Sequence, residues 1–180
     1  MANEAQTNSI IWSPSEERII SSQMYRFMKV INKNYNTNLN SYYDLHQWSI
    51  KFKPYFWEAI WDFFDIIGSK GTDPYIEPLN KMPESKFFPY GKVNYAENML
   101  SGDNVGLAIV FKSEDKIRKE VNWDKLKTQV ATTANFLKEQ GVIKGDRVAA
   151  YMPNMPETVI TMLATSSLGA IFSSASPVEA

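Results

Sequence analysis

Between Arg147 and Ala175 the chain spells a strand, a helix and a second strand, and no other run constrains the fold as much. Arg147-Val-Ala-Ala-Tyr151 is an apolar stretch of strand length. Pro156 to Leu168 follows as a helix, opened by a proline that suits a first helical position and stopped at Gly169. Ala170 to Ala175 is the second strand. A strand, helix and strand this close together make a crossover, which sets the strands parallel and the connection right-handed.

The segment before it prepares the same layer. Leu107-Ala-Ile-Val-Phe111 is a continuous apolar run, and the charged turn Glu114-Asp-Lys116 leads into Ile117 to Val121, so the pair reads as a hairpin. Asn122 is placed to cap a helix from Trp123 to Gln140, with Leu126, Val130, Ala134 and Leu137 on its apolar face and Gly141 after it. Upstream of about Leu100 the pattern is helical and rich in aromatics. Ser13-Pro14 offers a cap and a first-turn proline, and Ile20, Met24, Phe27, Met28 and Ile31 then share one face of a single helix. The stretch Asn32 to Asn40 ends it. Ser41-Tyr-Tyr-Asp44 is a capping arrangement for a short helix through Leu45 and Trp48. Pro54 opens a third helix bearing Phe56, Trp57, Ile60, Trp61, Phe63 and Phe64, which Gly68 stops. Residues 69–92, with Pro74, Pro78, Pro83 and Pro89, read as an irregular extended connection.

Composition narrows the function classes. The chain of 180 residues is 44% hydrophobic and 22% charged, which is ordinary for a folded globular protein. A formal charge of -1 gives no electrostatic reason to bind nucleic acid or anionic lipid. With no cysteine there is no disulfide framework, thiolate metal site or cysteine nucleophile. No basic segment precedes an apolar stretch at the N-terminus, and no apolar run has the length of a membrane span, so a cytoplasmic location is expected.

Four features invite a chemical reading. His46, the only histidine, has no second His or Cys with which to share a metal, and reads as a surface or half-buried structural residue. Glu58, Asp62 and Asp65 fall at helical spacing; three acids there suit a hard cation or acid–base work, or else form the solvated stripe of an aromatic helix. That helix could lie on a membrane, but its polar face carries acids where interfacial helices carry Lys and Arg, so packing on a protein surface is expected. The partner is either the crossover unit or a further part of the molecule. Ser173-Ser-Ala-Ser-Pro177 sits at the C-terminal end of a parallel strand, where open α/β sheets place ligands. It has neither glycine nor lysine, and a tightly packed strand end is the simpler expectation. No Gly-x-x-x-x-Gly-Lys-Ser/Thr loop and no Gly-x-Gly-x-x-Gly occurs.

Taken together, several of these segments resemble one family. Ile11-Trp-Ser-Pro-Ser-Glu-Glu-Arg18, Ser41-Tyr-Tyr-Asp-Leu-His-Gln-Trp-Ser-Ile50 and Phe56-Trp-Glu-Ala-Ile-Trp-Asp-Phe63 resemble the N-terminal region of acetoacetyl-CoA synthetases. Phe87-Phe-Pro-Tyr-Gly-Lys-Val-Asn-Tyr-Ala-Glu-Asn-Met-Leu100 is similar to the linking motif that follows there. Val121-Asn-Trp-Asp-Lys-Leu126, Gly145-Asp-Arg-Val-Ala149 and Leu168-Gly-Ala-Ile-Phe-Ser-Ser-Ala-Ser-Pro177 resemble the first core elements of the AMP-forming acyl-CoA synthetase superfamily. Acetyl- and propionyl-CoA synthetases share the extension. Their linking motif runs into a Cys-Leu-Asp-Arg-His-like stretch, however, where this chain has Ala96-Glu-Asn-Met-Leu100.

The resemblance implies an α/β fold: a helical, aromatic-rich N-terminal extension over residues 1–100, then, over 101–180, the incomplete first part of an AMP-binding domain with a partly parallel sheet and a βαβ crossover. It implies ATP, Mg²⁺ and CoA as substrates and cofactor of the full-length enzyme, with acetoacetate as the acid. The phosphate loop, adenine and ribose contacts and catalytic lysine of the family lie downstream of residue 180. No catalytic, cofactor-binding or metal residue is therefore carried over, and the chain alone is expected to be inactive. A different class of reading makes it a non-catalytic module that docks on a partner chain, such as a complementing C-terminal half.

Overall fold

The computed structural model describes residues 11–113 and 117–177. They fall into two compact units, the first made of the chain up to Asp65 with Lys70–Tyr90, the second of Ile66–Ser69 with the chain from Gly91.

The first unit opens with two helices, α1 (Glu16–Ile20) and α2 (Gln23–Tyr35), where the sequence pattern predicts one. Serines cause the break. Ser15, not Ser13, caps α1 by accepting from the Arg18 amide. Ser22 then accepts from the Tyr25 amide at 3.1 Å and donates to the Ile19 carbonyl at 2.7 Å, so α2 starts afresh. Ile20 and Met24 consequently stay half exposed, while Phe27, Met28 and Ile31 are buried. Asn36 ends α2 in the left-handed region at φ 50. The Asn32 side chain clamps the loop behind it, accepting from the Leu39 amide at 2.7 Å and donating to the Leu39 carbonyl at 2.9 Å.

Helix α3 (Tyr42–Lys51) has the full reciprocal capping box that Ser41 and Asp44 predict. Helix α4 (Lys53–Phe63) carries Pro54 in its first turn and ends well before Gly68, with Asp65 just beyond it at φ 48. The aromatic face of α4 closes on its own unit: Phe27 lies 5.9 Å from Phe56 and 5.1 Å from Phe63 in edge-on geometry. Leu45, Trp48 and Ala59 complete the buried cluster. Thus the expected protein packing is found, with α2 and α3 as partners within the unit.

After α4 the chain makes β1 (Gly68–Ser69), β2 (Ile76–Glu77), β3 (Lys86–Phe87) and β4 (Lys92–Val93). The antiparallel pairs β1–β4 and β2–β3 replace the irregular connection expected over 69–92. Gly68 is a pairing residue and not a helix stop. Its φ is 151, and a Cβ there would collide with the Lys92 carbonyl.

In the second unit, α5 (Tyr95–Leu100) is followed by the antiparallel pair β5 (Leu107–Ser113) and β6 (Ile117–Asn122). The charged turn predicted between them falls outside the described residues. Asn122 caps α6 (Trp123–Glu139) as expected, accepting from the Lys125 amide at 2.8 Å. Then come β7 (Arg147–Tyr151), α7 (Pro156–Ser167) and β8 (Ile171–Ala175), and β7 pairs with β8 in parallel. Val121, Leu126, Val130, Ile160, Leu163 and Ala164 form the core, with Ala96 of α5 fully buried among them.

Candidate functional site

The three acids predicted to share a helix face do not. Glu58 and Asp62 lie one turn apart on α4, whereas Asp65 has left the helix. The two that remain converge on Lys70. Its Nζ stands 2.8 and 2.9 Å from the Asp62 oxygens and 3.5 Å from Glu58 Oε1, and 5.9 Å from the centre of the Tyr75 ring. Burial works against the Lys70 charge, but the hydrogen bond and the negative charges of Asp62 and Glu58 outweigh it and hold its pKa above the ordinary lysine value. Glu58 acts also on the phenols beside it. Tyr35 and Tyr75 are both raised, by burial first and then by the carboxylate charge. This is an ion-paired latch rather than a cation site or a solvated stripe, and no group of three or more metal-binding side chains exists among the described residues.

His46 is exposed on α3 and stacks on Tyr42 at 5.9 Å.

The C-terminal ends of β7 and β8 lie side by side, Tyr151 level with Ala175. Ser173, Ser174, Ala175 and Ser176 are all exposed, which corrects the expectation of a tightly packed strand end. The pleat accounts for Ser173 and Ala175. In the register Arg147–Ile171, Ala149–Ser173, Tyr151–Ala175, paired residues share a face, and all six are exposed. The opposite face turns Val148, Ala150 and Phe172 inward.

The N-terminus of α7 opens after Tyr151, in the place where doubly wound sheets bind anions. Here that end is already matched by protein charge. Glu157 sits in the first turn, and its Oε1 accepts from Lys119 Nζ at 3.0 Å. The Lys119 hydrogen bond, though opposed by partial burial, keeps the Glu157 carboxyl below its ordinary pKa. A phosphate would have to displace this carboxylate. With the acids committed to Lys70 and Lys119, these residues do not fit a Mg²⁺–triphosphate.

The linking motif holds two roles that the sequence reading missed. Asn94 caps α5 by accepting from the Glu97 amide at 3.1 Å, while its amide nitrogen donates to the last carbonyls of α7, Ser166 at 3.3 Å and Ser167 at 3.1 Å. Asn98 does for Ile67 what a neighbouring strand would do. It accepts from the Ile67 amide at 2.8 Å and donates to the Ile67 carbonyl at 2.9 Å. An asparagine before a short helix signals the first cap; the others depend on tertiary neighbours.

Residues 106–178 match the family model described as AMP-binding enzyme. An acetoacetyl-coenzyme A synthetase of Rhizobium meliloti (strain 1021) is 38% identical over 167 residues, 93% of this chain and 26% of the relative. A malonamoyl-CoA synthetase of Penicillium aethiopicum is 32% identical, over 93% of this chain and 24% of its own length. Among solved structures, the acetoacetyl-CoA synthetase from Streptomyces lividans superposes with a TM-score of 0.83 at 31% identity, covering 92% of this chain and 26% of that one. The chain thus spans about a quarter of the length of the relatives it matches. In sequence and in fold the chain is similar to the N-terminal part of acetoacetyl-CoA synthetases, and its residues 106–178 match the AMP-binding enzyme model.

Proposed function

We propose that this chain is the N-terminal portion of an AMP-forming acetoacetate–CoA ligase working in the cytoplasm. In that reaction the acetoacetate carboxylate attacks the α-phosphate of ATP, giving an acyl-adenylate and pyrophosphate. The CoA thiol then attacks the acyl carbon and AMP leaves. Residues 1–100 are read as the helical extension and 101–180 as the incomplete start of the AMP-binding domain. The observation that carries the reading is the TM-score of 0.83 over 92% of the chain, which includes the extension as well as the crossover. Acetoacetate is preferred over acetate or propionate on the linking motif, Ala96-Glu-Asn-Met-Leu100.

The chain's own residues contribute position and not chemistry. Catalysis of phosphoryl and adenylyl transfer rests on charge arranged around the phosphates. Here Glu58 and Asp62 pair with Lys70, and Glu157 with Lys119, instead. ATP–pyrophosphate exchange tests this directly. The chain alone gives no exchange with acetoacetate, and a reading frame extended to the length of its relatives gives exchange faster with acetoacetate than with acetate, propionate or malonamate. Acetoacetate-dependent exchange by residues 1–180 alone would overturn the inactive assignment; a preference for another acid would overturn the substrate.

The exposed face of β7 and β8 supports a second reading, a module that docks on a complementing chain. Stable capture of a separately expressed C-terminal half favours it, and failure to capture that half counts against it.

A further inference from the structure

We propose that the cleft walled by α1 and the first turns of α2 is a binding site for amphipathic carboxylates, with Arg18 as the partner of the anionic end. The cleft has a volume of about 530 Å³, within the range of small-molecule sites. Trp12, Ile19, Met24, Tyr25 and Tyr42 give it apolar and aromatic walls. Trp12 and Tyr42 are 67% and 64% exposed, so the apolar lining is open to a ligand.

The polar groups at the cleft select its chemistry. Ser22 spends its hydroxyl on the Tyr25 amide and the Ile19 carbonyl, Asn40 its side-chain amide on the Asn38 carbonyl, and Ser41 its oxygen on the Asp44 amide. Arg18 differs. Its guanidinium lies over the Trp12 ring, 5.7 Å from the centre, and pairs with no carboxylate among the described residues. Stacking on a ring occupies the face of a guanidinium and leaves its N–H edge able to take a carboxylate. A second aromatic wall also carries a cation, since Lys29 Nζ stands 5.0 Å from the Tyr25 ring. Two acids, Glu16 and Glu17, lie in the first turn of α1. The acid beside the far wall, Asp44, is committed to the amides of Asn40 and Ser41, at 3.0 Å each. Arg18 is the charged residue of the cleft's lining, and a cation set in apolar walls matches a ligand with an apolar tail and one negative end. The inference is independent of the ligase reading, because binding is read without turnover.

The test titrates the full chain with octanoate, followed by tryptophan fluorescence and calorimetry, beside octylamine and octanol as probes with the same tail and a positive or neutral end. Octanoate is expected to saturate one site at least tenfold more tightly than octylamine. Arg18→Gln weakens octanoate by about tenfold, the scale of one charge-assisted hydrogen bond, and leaves octanol unchanged. Met24→Glu, at an exposed wall position, removes octanoate binding while the circular dichroism and melting of both variants stay those of the parent. Equal binding of octylamine, an unaltered octanoate affinity in Arg18→Gln, or no saturable octanoate binding would each overturn the proposal. The last result is also what a cleft filled by another segment or a protein partner would give.

Discussion

Lys70 shows how a single side chain decides the meaning of its neighbours. Two acids at a helical spacing are ambiguous until a cation from outside the helix is seen to lie between them. Lys70→Met leaves Glu58 and Asp62 repelling each other and should lower stability by about 1 kcal/mol, the scale of a partly exposed ion pair, measured by urea denaturation. The pH dependence follows from its raised pKa. Stability from this lysine is present below its unfolded value and is lost as pH rises through the higher folded one. Tyr35 and Tyr75, whose neutral forms the fold favours, act in the same direction. The first unit should therefore weaken above roughly pH 10. In a Tyr35→Phe, Tyr75→Phe background, the gap between parent and Lys70→Met should narrow as pH climbs past the lysine. A gap constant to about pH 12 would remove the ion pair from the explanation.

Asn94 carries the sharpest test among the elements, since it serves two helix ends at once. Asn94→Asp keeps an acceptor for α5 but loses the donor to Ser166 and Ser167, and sets a negative charge against the negative end of α7. Asn94→Ala loses both functions. Each should cost about 1–2 kcal/mol, with Asn94→Ser, which keeps a cap, milder than Asn94→Ala in thermal melts. Equal loss in all three variants would mean that the cap is irrelevant. The elements legible from sequence were those that carry their own punctuation. Asn122 before α6, the Ser41–Asp44 box before α3, and Pro156 with Gly169 around α7 each name a boundary locally. The break between α1 and α2 was not legible, because the apolar spacing from Ile20 to Ile31 runs straight through it while Ser22 quietly restarts the hydrogen-bond ladder. The two-residue strands β1 to β4 are too short to show any period, and α5 offers six residues with one buried position. Of the candidate site, the acids were visible but their cation, Lys70, was not, because its approach depends on how residues 64–70 turn.

Across the whole molecule, the parallel pair β7–β8 presents one complete face, including Tyr151 and Ile171, at 74% and 51% exposure. The outer edge of β8 has no partner among the described residues. Parallel strands are normally covered on both faces, and an open edge beside apolar side chains promotes association. The chain of residues 1–180 should therefore self-associate, and Ile171→Lys should shift it toward monomer in sedimentation velocity without changing its melting. Unchanged association would place the sticky surface elsewhere. The double grip of Asn94 also sets a schedule. Its donor reaches carbonyls 72 and 73 residues further along, so at 5–20 residues per second the ribosome needs on the order of ten seconds to deliver them. Throughout that interval Ala96 has no α7 to bury against, and α5 emerges as a segment waiting for its mate. A nascent chain stalled short of α7 is one that chaperones and proteases will meet with its linking motif still open.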